Sequence, residues 1–210
     1  MSRKEWFRNA DWNESIERAF EEKLRRSRRK SQYLRIQASI LSESHPETAL
    51  RLLDEYFALG DQFAWAQAYC DQACAFISLG RVDDAIAAYQ KALEREAEFA
   101  NVKTQAYIEL PFLIVTRGLR EKFDHAARVL QEHESRLMFP LDRFMWHCAR
   151  ALIAQSRGDG AGASEHASRA LIEASRRNSG FLGHPTVGSV TQQYQSQIDE
   201  LTLITGKPLH

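Results

Sequence analysis

Three cysteines, five prolines and ten glycines are few for 210 residues. Cys70, Cys74 and Cys148 are odd in number and follow no disulfide-framework spacing. The thiols are therefore expected to stay reduced, as in a cytoplasmic protein. The low proline and glycine content excludes collagenous and low-complexity chains. Valine and threonine are scarce as well, while Ala, Leu, Arg, Glu and Gln dominate. That balance favours helix, where unbranched side chains lose little rotamer freedom. No apolar run approaches the roughly 20 residues of a membrane span; Phe112-Leu-Ile-Val115 is typical. No apolar stretch follows the charged start Met1-Ser-Arg-Lys, so no secretory leader is expected. Charge of one sign is not in excess either: 28 basic side chains balance 28 acidic ones. This argues against a dedicated nucleic-acid or membrane-surface protein.

What is present is helical periodicity. Trp12, Ile16, Phe20 and Leu24 recur at i+4 and predict a helix over about 12–30, opened by a capping-box pattern at Asp11-Trp-Asn-Glu14. Further helices are expected at about 32–41, around Ala49–Phe57, and at 63–79, 82–96, 101–117, 121–137, 141–157, 161–176 and 189–205. Pro46 and Pro140 bound helices, since the residue before proline avoids the helical region. Gly80, Gly118 and Gly158 fall where helices should stop. Alternating strand patterns bounded by turn residues are absent.

The apolar pattern also repeats. Ala85-x3-Tyr89-x2-Ala92 is matched 78 residues later by Ala163-x3-Ala167-x2-Ala170. Ala126-x3-Leu130 lies between them, and Ala49-x3-Leu53 lies 36 residues before Ala85, so the period is 36 to 41. A helical hairpin cannot bury its apolar face alone, so such units stack. Where the two helices of a hairpin cross, only a small side chain fits. That explains Ala73 with Ala85, and Ala151 with Ala163.

The pattern resembles the tetratricopeptide repeat (TPR) family. It is carried best by Ala66–Phe99, with Ala73, Phe76, Gly80, Ala85, Tyr89 and Ala92, and next by 144–177, with Ala151, Gly158, Ala163 and Ala170. The second stretch departs from the family at Ala167, where a bulky aromatic is preferred. Residues 32–60 and 101–137 match only in their second helices. Pro111 falls inside a first helix and should bend it, and Ala97 stands where a proline usually closes a repeat. The lead-in Trp6-Phe-Arg-Asn-x-x-Trp12 through Ala38 also resembles the start of uncharacterised bacterial TPR proteins. The resemblance implies one all-α domain over 1–210: a lead helix (1–31), four antiparallel hairpins (32–177), and a loop with a C-terminal capping helix (178–210).

It also implies a concave groove lined by the first helix of each hairpin. Gln67, Cys70, Cys74 and Ser78 would line it in one repeat, and Met145, Cys148 and Leu152 in another. Such a surface is soft and apolar, suited to a peptide or helix, including the chain's own tail 206–210; the competing possibility is that these are ordinary packed core residues. Chaperone-binding relatives carry lysines and asparagines that clamp a carboxylate; Cys70 and Cys74 occupy the matching places, so no clamp is expected there.

Other chemistry is sparse. Cys70 and Cys74 at i, i+4 are too few for a structural zinc site. The run Arg25-Arg26-Ser-Arg28-Arg29-Lys30 could meet phosphates, but no aromatics interleave with it, and it also suits a solvated helix end. Residues 1–30 carry ten basic and six acidic side chains, whereas 43–98 carry four basic and eleven acidic. The Gly158-Asp-Gly-Ala-Gly162 loop joins two helices, unlike phosphate loops, which follow a strand. Gly180-Phe-Leu-Gly183-His184-Pro185 sets a histidine in a glycine loop with no nucleophile nearby. No metalloprotease, serine-hydrolase, Walker or dinucleotide motif occurs. The expectation is a non-enzymatic protein-interaction module without cofactor or metal, binding a protein or peptide segment or a second copy of itself. The alternative is a nucleic-acid-associated repeat using residues 25–30.

Overall fold

Side chains cap some of the helix starts. In the computed structural model, which describes residues 5–99, 101–176, 184 and 186–206, every regular element is a helix and no strand occurs among the described residues. The all-α expectation stands. The first helix corrects its sequence-based boundary: α1 runs Glu14–Arg26, and the side chain of Asn13, not Asp11, accepts from the amides of Ser15 and Ile16 at 3.0 and 3.1 Å. Trp12 therefore lies ahead of the helix and rests edge-on against Phe20. Periodicity alone could not separate these, because both indole and helix bury the same stripe.

The chain divides into two compact units, Met1–Ala106 and Tyr107–His210. In the first, α2 (Lys30–Leu41) and α3 (Pro46–Ala58) form one hairpin, and α4 (Trp65–Ser78) and α5 (Val82–Glu98) form the next. Helix α4 packs on α3 and more lightly on α2. Leu34, Ala38, Leu41, Ala49, Leu52, Leu53, Tyr56, Ala68 and Ala75 make the shared core together with Phe20 and Leu24 of α1. Each large aliphatic side chain so enclosed contributes ~1.5–3 kcal/mol. The lead-in is pinned by one buried amide: Gln37 accepts from the backbone and side-chain nitrogens of Asn9, both at 2.9 Å, and donates to the Asn9 carbonyl at 2.7 Å. A buried amide must be satisfied or it destabilises the fold. Trp6 and Phe7 gather on Tyr33 beside this anchor.

In the second unit the helices are α6 (Ala106–Thr116), α7 (Phe123–Glu132), α8 (Pro140–Ser156), α9 (Gly160–Ala174) and α10 (Gln195–Thr205). Helices α8 and α9 pair along their length, and α7 meets α8 where the Trp146 indole donates to the Leu130 carbonyl at 3.1 Å. Helix α10 lies on α9 and touches α8, as a capping helix should. Tyr194, just before α10, sets its ring edge-on to Phe112 and Phe144. Helix α6 starts later than periodicity suggests, because Thr104 accepts from the Ala106 amide at 3.2 Å and so acts as its cap. It runs through Pro111, which is buried.

The hairpin turns share one device. Gly80 has φ +72° and Gly158 φ +76°, a region only glycine enters without strain. In each, the glycine amide and the next amide bond back to the last helical turn: Gly80 to Ile77 and Arg81 to Phe76, Gly158 to Gln155 and Asp159 to Ala154. This is the Schellman closure, and Gly118 with Leu119 repeats it. The glycine loop at 158–162 is thus a turn: Asp159 caps α9 by accepting from the Gly162 amide at 2.9 Å. Ala73, Ala85, Ala151 and Ala163 are all buried, as helix crossings require.

Candidate functional site

The sequence pattern marks residues for a groove, and the structure buries most of them. Cys148 is 0% exposed, and Cys70, Met145 and Leu152 are buried too. Cys74 is partly buried, while Gln67 and Ser78 are exposed. Burial pushes the Cys148 thiol up to about 12, with Glu200 adding repulsion, so it remains a thiol at neutral pH. A side chain with no accessible surface meets no partner without rearrangement. The expected sulfur-lined surface is therefore not open at Cys70, Met145, Cys148 and Leu152. The cause is the apolar character of the side chains: cysteine, methionine and leucine are among the most buried residue types, and a helical position that could face a groove points equally well into a core. The tail 207–210 and residues 177–183 and 185 lie outside the described residues. Arg25, Arg26, Arg28, Arg29 and Lys30 are all exposed, at the end of α1 and the start of α2, and Arg26 pairs with Glu22 at 3.1 Å. Among the described residues, no group of three or more His, Cys, Asp or Glu is placed to hold a metal ion.

The accessible apolar site lies elsewhere in the first unit, between the start of α4 and the end of α5. The loop after α3 is fixed by Tyr56, whose hydroxyl donates to the Asp61 carbonyl at 2.9 Å. Asp61 opens a single 3-10 turn, Gln62–Ala64, and that turn throws Phe63 outward to 87% exposure. At the other end, Phe99 follows the last turn of α5 and is 49% exposed. Between them stands Arg95. Its guanidinium lies 5.1 Å from the Trp65 ring centre and 4.4 Å from that of Phe99. It donates to Gln62 Oε1 at 3.1 Å and pairs with Glu98. Phe63, Ala66, Phe99 and Val102 give apolar walls to a cavity of about 290 Å³, with Arg95, Gln62 and Asn101 as its polar lining. That is about twice a cavity of roughly 150 Å³ that accepts benzene.

The walls are held from behind. Phe57 stacks on Tyr69 at 4.8 Å and meets Trp65 edge-on. Buried Glu96 accepts from both the amide and the hydroxyl of Thr104 at 2.6 Å, which ties down the chain just past Val102. Deeper in the unit, Asp71 is buried and bonds Arg35 at 3.1 Å; burial holds its carboxyl above the usual range, while Arg35 pulls it back.

Periodicity hid this site. Phe63 falls at the start of the helix expected over 63–79, whose Trp65, Tyr69 and Ala73 read as inward, so nothing in the spacing singles it out as exposed. The signal available was Leu59-Gly-Asp61, ending two residues before it, a turn followed by a capping residue. Comparison with protein families, with curated proteins and with solved structures found no match to this chain. No helix of the described residues is long and apolar enough to cross a membrane.

Proposed function

We propose that this chain is a TPR-type interaction module that captures a protein segment in the cleft between Phe63 and Phe99. The observation that carries this is Phe63, 87% exposed at the lip of an apolar cavity of about 290 Å³. An exposed phenyl beside an open apolar recess costs solubility and invites a partner that covers both. The repeat reading rests on the alanine crossings and on three Schellman glycines spaced 38 and 40 residues apart, at 80, 118 and 158. Cytoplasmic action fits the cysteines, which are held as thiols.

The occupant is a segment presenting one bulky apolar side chain with lysine or arginine beside it. The cavity takes the apolar anchor. Exposed carboxylates adjoin lining residues along the chain, Asp61 beside Gln62 and Glu94 beside Arg95, while Glu98 pairs with Arg95, all within a stretch bearing eleven acidic against four basic side chains. Such a field steers a basic segment and rejects an acidic one. The test is fluorescence anisotropy with labelled peptides carrying a single Trp or Leu anchor and either Lys or Glu flanks. The Lys-flanked peptide binds, the Glu-flanked one does not, and Phe63→Ser weakens binding at least tenfold (about 1.4 kcal/mol). Equal binding of both peptides, or none, would remove the assignment. A second reading keeps the exposed run at 25–30 as a phosphate-contacting surface, because Arg25, Arg28, Arg29 and Lys30 enter no ion pair among the described residues. Steep salt dependence of binding to a random oligonucleotide would favour it.

A further inference from the structure

A second cluster lies in the other unit, along the seam of α8 and α9. Their antiparallel pairing brings His147 against His166, with Nδ1 to Nδ1 at 3.1 Å. Trp146 stands edge-on to both rings. Three guanidinium groups surround the pair. Arg143 is held by Glu173 at 3.1 Å and Arg169 by Glu165 at 2.7 Å. Arg150 differs: it lies over the Trp146 ring at 4.8 Å, makes no ion pair among the described residues, and its buried Nε has no hydrogen-bond partner. The two imidazole Nε2 atoms also have no partner there.

Proton counting gives this arrangement a consequence. At 3.1 Å one Nδ1 donates and the other accepts. The donating ring then has a bare Nε2, and the accepting ring carries its proton on Nε2. One added proton goes to the bare Nε2 and leaves the internal hydrogen bond intact. The pair then offers two outward N–H donors and one positive charge. A second added proton would set N–H against N–H and is resisted. A metal cation is the wrong partner, since only two nitrogens are at hand and three guanidinium groups repel it.

We infer that His147, His166 and Arg150 form a binding site for a phosphate-type oxyanion, whose binding draws one proton onto the histidine pair. Without an anion the pair is neutral at pH 7. Burial pushes His147 down to about 4, helped by His166, Arg169, Arg143 and Arg150. Burial and Arg150 lower His166, against Glu165 and Asp159. An anion reverses that repulsion. The proton is therefore taken up in the acid range, and affinity should fall about tenfold per unit as pH rises from the titration of the empty pair to that of the occupied pair.

The test is a histidine NMR titration of the whole protein in sodium sulfate and in sodium chloride at equal ionic strength. Sulfate keeps its charge throughout, so any titration belongs to the protein. The resonances of the pair, assigned with His147→Gln and His166→Gln, should move their midpoint up by about one pH unit in sulfate only. Arg150→Gln should abolish the difference. O-phosphoserine reproducing the shift would extend the site to phosphate monoesters, and its failure would restrict the site to the inorganic ion. Identical midpoints in the two salts for both residues, or an equal shift of all seven histidines, would overturn the inference. The wild-type comparison stands even where a variant fails to fold.

Discussion

The hairpin α4/α5 of the first unit and the hairpin α8/α9 of the second superimpose in sequence at one offset of 78 residues. Ala73 answers to Ala151, Gly80 to Gly158 and Ala85 to Ala163, and each pair does the same job. The seams beside those crossings have diverged. Trp65 carries Arg95 over its ring where the second hairpin has Arg143 bound to Glu173. Tyr69 carries Lys91 at 5.7 Å where the second has His147 and Arg169. One seam is aromatic and cationic and adjoins an apolar cleft. The other is built of ions and imidazoles. The backbone needs small residues only at the crossing and glycine only at the turn, so the seam positions are free to carry different side-chain chemistry on one scaffold.

Buried carboxylates separate the two units most sharply. Asp71 has one guanidinium, Arg35, whereas Glu173 has two, Arg143 at 3.1 Å and Arg176 at 3.2 Å. Arg35→Met should cost about 3 kcal/mol, because it leaves a buried charge without a cation. Arg143→Met should cost about 1 kcal/mol. Urea denaturation giving equal losses would show that the second arginine does not compensate. At the crossings the units should behave alike. Ala85→Leu and Ala163→Leu are each expected to destabilise by ~1–3 kcal/mol through overpacking; a silent change at either would break the register match. At the turns, Gly80→Ala and Gly158→Ala should each cost about 1 kcal/mol, since a Cβ at either meets open space and only the positive φ is strained. A difference between the two midpoints larger than the loss itself would mean the turns are not equivalent.

The smallest effect is in pH. His147 has its folded value pushed down to about 4, below its unfolded value near 6.5. The unfolded chain therefore binds more protons in that window, and stability should fall as pH drops from about 6.5 towards 4. Asp71, raised by burial, acts in the opposite sense. Across the window of His147, His147→Gln should flatten the decline. An unaltered slope in the variant would assign the acid sensitivity to other groups.

The legible parts of the sequence were those with a period. Alanines at crossings, glycines at turns and the run of apolar i, i+3 and i+4 positions locate ten helices among the described residues. Boundaries slipped where a cap competed with the stripe, at Asn13 against Asp11 and at Thr104 ahead of α6. The site was harder to find. Periodicity says that Phe63 and Cys70 share an apolar character, but not that a 3-10 turn expels the first while α4 buries the second. Likewise, His147 and His166 are 19 residues apart, and only the antiparallel pairing of their helices joins them.

The most direct measurement is the affinity of one Lys-flanked, single-anchor peptide for the wild-type protein and for Phe63→Ser, at matched folded fraction. Loss of at least tenfold, with no change for Cys74→Ser, is the expected result and places recognition in the aromatic cleft. Undiminished binding to Phe63→Ser would contradict it and leave the cleft without a partner.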